Sequence, residues 1–132
     1  AAHTNTCTLA VLAAPRWSSG TVHGSNAQMQ GYWDSLHANE VDVVVGGDDH
    51  VYERFALQDP QGFYSPGHGL RQFTVGTGGG SLYTFGEPKA NSEVRYRASY
   101  GILRLGLHAT SYDWRYVPTS GTFSDTGSDT CI

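Results

Sequence analysis

The sequence predicts an α/β (α+β) fold: a mixed sheet with one main helix and a C-terminal antiparallel hairpin. Three observations carry this reading. Two apolar runs, Thr8–Ala14 and Val41–Gly46, flank a segment whose large apolar residues recur at helical spacing. Near the end, Tyr112, Trp114 and Tyr116 alternate with Asp113 and Arg115, as in a strand with one buried face. Finally, 17 Gly and 8 Tyr in 132 residues favour turns and strands over long helices.

The elements follow in order. Thr8–Ala14 reads as a strand stopped by Pro15, whose ring locks φ and removes a donor. Arg16–Gly24 is a loop. Ser25 is placed as the N-cap of a helix over Asn26–Asn39, with Met29, Trp33 and Leu36 toward the core and Tyr32 alongside. Val41–Gly46 is the second strand, and a strand–helix–strand unit of this length favours parallel pairing with a right-handed crossover. Asp59-Pro60-Gln61-Gly62 and Ser65–Gly69 are turns by composition, and they precede a strand over Leu70–Val75. Gly76-Thr77-Gly78-Gly79-Gly80 lacks the Lys-Ser/Thr and the helix that a phosphate-cradling loop requires, so it reads as a backbone turn. Ile102, Leu103, Leu105 and Leu107 form a strand joined through His108–Ser111 to the alternating strand, which Pro118 ends. Residues 120–132, rich in Ser, Thr, Gly and Asp, read as a surface tail.

Length and composition set the bounds. A chain of 132 residues is expected to be one domain, and neither a repeat nor a linker divides it. The net charge of −4 argues against a nucleic-acid partner, which calls for a basic face. No apolar run has the length of a membrane-spanning helix. No Asn-x-Ser/Thr sequon is present, so N-linked sugar is not expected. Cys7 and Cys131 stand near the two ends, as free thiols in a reducing compartment or as a disulfide in an exported protein. The pairing would close a long loop, worth about 4–5 kcal/mol in the chain-entropy picture.

The most informative stretch is Gly46-Gly47-Asp48-Asp49-His50-Val51-Tyr52-Glu53-Arg54-Phe55. It follows the second strand, and open α/β sheets place their chemistry at strand ends. Asp48, Asp49 and His50 offer oxygen and imidazole ligands that suit Zn, Fe or Mn, although neighbours on extended chain point to opposite sides. The bland alternative is an acidic turn capped by a solvated His.

This stretch resembles the GHDHVYERF signature of calcineurin-like metallophosphoesterases, in particular the secreted, purple-acid-phosphatase-like branch. Cys7–Gly20 is similar to that family's CTLAYWHHPRFSSG, and His23-Gly24-Ser25 to the HGS that follows it. Gly69–Gly79 resembles GIRxFVVGTGG, and Tyr100–Leu105 through Ser111–Trp114 continue the likeness in order, so it covers nearly the whole chain. The resemblance implies a double β-sandwich flanked by helices, of which this chain supplies about half. It also implies phosphate-ester hydrolysis at a dinuclear centre of divalent or trivalent ions (Zn, Fe or Mn).

The departures qualify that implication. The family's ligand two residues before the proline is Ala13 here, its neighbouring His is Ala14, and the His after the glycine is Asp48; only His50 is kept. The D-x-H, G-D and G-N-H motifs of the amino-terminal half are not found. Candidate metal ligands are therefore His50, Asp48 and Asp49, whereas a catalytic zinc generally takes three protein ligands and a two-metal hydrolase holds both ions about 3.5–4 Å apart. His23 matches a loop His that serves as a general acid in the family; its bland reading is a water-exposed loop side chain. Tyr52, Glu53 and Arg54 read as scaffold, the latter two paired with each other or with backbone. His3, His37, His68 and His108 read as surface residues.

Two functions are expected from these features. One is a metallophosphoesterase-type domain, catalytically incompetent as an isolated chain, whose missing amino-terminal half lies on another chain. The other is a non-catalytic secreted subunit that self-associates into an oligomer or filament, because uncovered sheet edges recruit further strands. The resemblance, a single Lys and a Ser/Thr/Gly-rich end favour export, and with it the Cys7–Cys131 disulfide.

Overall fold

The structure, a computed structural model, describes residues 6–132. His3 lies outside the described residues. Among the described residues eight strands form two sheets. The first holds β1 (Leu9–Leu12), β2 (Val43–Gly46), β4 (Arg71–Val75), β3 (Tyr52–Phe55) and β5 (Ser92–Tyr96), in that spatial order. The second is the antiparallel set β6 (Gly101–Leu107), β7 (Ser111–Pro118) and β8 (Asp125–Thr130).

The Val-rich β2 sits between β1 and β4, both parallel to it, with Leu9 opposite Val43 and Val43 opposite Arg71. A strand flanked on both edges and covered on both faces has no polar side, which is why it reads as a continuous apolar run. β3 joins β4 and β5 antiparallel, so the sheet is mixed, as the sequence predicts.

One face of the first sheet carries α1 (Gln30–Ala38), entered through a 3-10 turn over Ala27–Met29. Trp33 is fully buried there with Val44 and Leu70, and Met29 and Leu36 pack beside them. The expected N-cap is displaced by one residue. Asn26 Oδ1 accepts from Gln28 N, while Ser25 Oγ accepts from Ser18 N and so serves the preceding loop. Tyr32, expected alongside the core residues, is 61% exposed, because one helical step of about 100° carries it off the buried stripe.

The other face packs against β7. Val43, Tyr52 and Phe73 meet Tyr112, Trp114 and Tyr116, the alternation read from the sequence. Burial pushes the Tyr52, Tyr112 and Tyr116 hydroxyls above the usual tyrosine range, and for Tyr52 the bond to Asp125 adds to burial. A raised pKa in the folded state means that the unfolded chain releases these protons first. Stability is therefore complete below about pH 10 and falls as pH climbs beyond it. Equilibrium denaturation followed from pH 8 to 11 is expected to show that decline, and a flat profile would contradict it.

Residues 120–132 are not an irregular tail. Asp125–Thr130 pairs with β7 in unbroken register from Tyr116–Asp125 to Ser111–Thr130, which turns the expected hairpin into three strands. A strand with few apolar side chains is held by ladder hydrogen bonds, which leave no hydrophobic period to read. Cys7 and Cys131 form a disulfide with Cα atoms 5.2 Å apart. It ties the entry to β1 to the exit from β8, across the two sheets.

The sandwich stays open along one side. β1 and β6 are the edge strands of their sheets, and a cleft of about 350 Å³ between them is lined by Leu9, Val11, Val45, Val75, Leu103 and Leu105. Val11 is 72% exposed at its mouth, as is Ile102 at 63%.

Candidate functional site

The loop after β2 turns at Gly46-Gly47 and delivers Asp48, Asp49 and His50 to three different environments. Asp48 is exposed, with a left-handed backbone (φ 24°). It lines an open depression of about 240 Å³ with Ala14, His23, Asn26 and Gln28. Asp49 is fully buried. His50 is half-buried on the far side of the loop.

Asp49 is not free to bind a cation. Its Oδ2 accepts from Ser18 Oγ at 2.5 Å and from Gly24 N at 2.9 Å, and its Oδ1 accepts from His23 N at 3.3 Å. The carboxylate thus holds both ends of the loop that carries His23. Glu53, also fully buried, performs the same service one turn along. It accepts from Ser19 N (2.8 Å), Ser19 Oγ (2.6 Å) and Ser92 Oγ (2.5 Å). A Cβ on Gly20 would lie 2.5 Å from Asp49 Oδ2, so only glycine fits where the loop crosses the carboxylate.

Glu53 and Arg54 do not pair with each other, as adjacent strand residues face opposite sides. Arg54 turns into the space between the sheets, where it meets Asp125 and Glu93.

Asp49→Ala is expected to leave the Ser18, His23 and Gly24 donors unpaired and to cost about 2–4 kcal/mol, since each orphaned buried donor costs on the order of 1–3 kcal/mol before relaxation. Amide exchange in residues 18–24 should speed up more than in β2. Uniform acceleration across both would contradict the latch.

His50 is built differently. Its Nδ1 donates to Ser81 O at 2.8 Å, since a carbonyl can only accept, and this fixes the tautomer with a lone pair on Nε2. The ring stacks on Tyr83 with centroids 4.2 Å apart and planes 12° from parallel. Tyr83 in turn lies 5.7 Å from the His23 ring and donates its N–H to His50 O. A Cβ on Gly80 would lie 2.5 Å from the His50 ring, so the glycine-rich turn serves as the close wall of this imidazole. An Nδ1–H donated to a backbone carbonyl is the arrangement that prepares Nε2 for a metal.

The structure therefore brings His23 and Asp48 to one depression and links His23 to His50 through Tyr83, a residue the sequence did not single out. Ala13 and Ala14 bring no ligand to this region. Among the described residues no group of three His, Cys, Asp or Glu is placed to hold a metal ion. The donor set suits one oriented imidazole and does not fit a dinuclear centre on this chain alone. His68 and His108 are exposed, as read. His37 is half-buried, and its Nε2 has no partner among the described residues.

No protein-family model matches the chain, and no curated protein matches it in sequence. Among solved structures it is similar to a purple acid phosphatase isolated from yellow lupin (Lupinus luteus) seeds. The TM-score is 0.74 at 19% identity, over 92% of this chain and 24% of that one. At this identity the likeness is one of fold. The chain spans about a quarter of the length of that phosphatase, and the mixed sheet, single helix and antiparallel sheet fit part of its architecture.

Proposed function

We propose that this chain is the carboxy-terminal portion of a metallophosphoesterase-type domain, one that orients a single metal-facing imidazole and hydrolyses phosphate esters only when a further segment supplies the remaining ligands. The observation that carries the reading is the Nδ1–H of His50 on Ser81 O, which leaves Nε2 as an acceptor on a ring clamped between Tyr83 and Gly80. Asp48 and His23 border a separate depression, where Asp48 is a carboxylate open to a cation held with ligands from the further segment and His23 is the loop imidazole that faces a substrate there. Asp49 is withdrawn from the ligand set by its three bonds to the loop.

The open side of the sandwich supports the need for completion. Two unpaired edges, β1 and β6, border one apolar cleft, and strand addition is the chemistry such edges favour. The segment that fills it is an amino-terminal half on the same or another chain. The disulfide and the likeness to a plant phosphatase support export to an oxidising compartment.

The test is metal titration of the chain with Zn2+ and Mn2+, read on the histidine ring nitrogens by NMR and on p-nitrophenyl phosphate turnover. One weak site centred on His50 Nε2 is expected, lost in His50→Ala, with turnover no higher than that of the free ion. Two equivalents bound tightly per copy, with turnover, would overturn the reading.

A second reading, a self-assembling structural subunit, is favoured by the exposure of Val11 and Ile102 on the two open edges. Sedimentation of the same sample separates the two. Large assemblies dispersed by Val11→Lys support the second reading, and a monomer that binds an amino-terminal half supports the first.

A further inference from the structure

A groove of about 450 Å³ at the β5 edge of the first sheet is lined by Phe85, Arg95, Tyr96, Arg97 and Ala98. Arg95 lies in β5 and Arg97 directly follows that strand, and both line the groove. Arg95 is already anchored, since its Nη1 donates to Ser92 O at 3.2 Å and to Ser92 Oγ at 2.8 Å, and its Nε and Nη2 have no partner among the described residues. Arg97 is exposed and makes no hydrogen bond among the described residues. Neither guanidinium has a carboxylate partner there, although the chain carries a net charge of −4 and Arg54 and Arg71 are both paired.

Phe85 supplies the apolar wall. Its backbone bridges to Gly20, and Gly86 N donates to Ser19 O at 2.8 Å, so the latch built from Asp49 and Glu53 also anchors the backbone that carries this ring. Tyr96 is immobilised from behind by stacking on Phe123, with centroids 3.9 Å apart and planes 4° from parallel.

The geometry points to a binding site for a small aryl phosphate, its oxyanion held between Arg95 and Arg97 and its ring laid against Phe85. Guanidinium groups bind phosphoryl oxygens in bidentate fashion, and a ring in a fixed aromatic wall adds stacking. The inference goes beyond the proposed metal site and needs no metal, so the two can fail separately.

The experiment titrates the full, metal-free chain, kept in EDTA, with phenyl phosphate, inorganic phosphate and phenol, following backbone and arginine side-chain NMR signals. Phenyl phosphate is expected to shift Phe85 and residues 95–98 and to bind about tenfold more tightly than either half of the molecule. Arg97→Ala should weaken it about tenfold, and Arg97→Lys should recover only part, because an ammonium lacks the planar fork. Phe85→Leu should erase the preference over inorganic phosphate while leaving the fold's spectrum intact. Equal binding of phosphate and phenyl phosphate, shifts centred elsewhere, or an unchanged affinity in Arg97→Ala would each overturn the assignment.

Discussion

Asp125→Ala is expected to lower the stability of the fold by about 3–5 kcal/mol, the range for removing one partner of a buried ion pair. Asp125 is 7% exposed on β8 and reaches across to β3 in the other sheet. Its Oδ2 accepts from Tyr52 Oη at 2.6 Å and from Arg54 Nε at 2.8 Å, and its Oδ1 accepts from Arg54 Nη2 at 3.2 Å. Without the carboxylate, Tyr52 keeps a buried hydroxyl with no acceptor, and Arg54 retains only the half-exposed Glu93. The guanidinium also lies 5.0 Å from the Trp114 ring, so its rearrangement disturbs the centre of the inter-sheet core. Against a total of about 5–15 kcal/mol for a domain, the loss is severe. Asp125→Asn keeps an acceptor for Tyr52 and discards the charge, so it should recover only part. Urea midpoints at constant m-value measure both, and a loss below about 1 kcal/mol in Asp125→Ala would show that the charge is not buried as described.

Reducing the Cys7–Cys131 bond, or replacing both residues by Ser, is expected to cost about 4–5 kcal/mol in the chain-entropy picture, because the cysteines are separated by 124 residues and the bond closes nearly the whole chain. The native contacts nearby do not involve the sulfurs: Thr6 N donates to Ala109 O, Thr8 N to Asp42 Oδ2 and Ile132 N to Asp42 Oδ1. The loss therefore arises in the unfolded ensemble, and the native spectrum should hardly change. Denaturation of oxidised and reduced protein side by side checks this. Equal midpoints would contradict it, and a reduced protein with altered native signals would move the effect into the folded state.

The central sheet was legible in the sequence where burial dictates composition. The Val run of β2, the helix stripe of Trp33 and Leu36, and the aromatic alternation of β7 all answer to a core on one or both sides. β5 and β8 were not legible, because Ser92–Tyr96 and Asp125–Thr130 are edge strands held by backbone pairing. β3 was read as scaffold rather than as a strand, because Glu53 and Arg54 break the apolar pattern and are charged for reasons that lie 34 and 71 residues away in the chain.

The site was legible by residue type but not by role. Asp49 has the chemistry of a ligand, and only the positions of Ser18, His23 and Gly24 show that it is consumed by the loop. Tyr83 gave no signal, since a lone aromatic beyond a glycine turn is indistinguishable from packing until its ring is seen between two imidazoles. His50 was identified from its motif, and its fixed tautomer is what the structure adds.

The bond between Cys7 and Cys131 closes residues 7–131 into a covalent ring. A nick at the exposed Pro66–His68 turn, between β3 and β4, severs no strand pair and yields two pieces still joined through sulfur. The order of these strands along the chain is thus separable from the architecture they build.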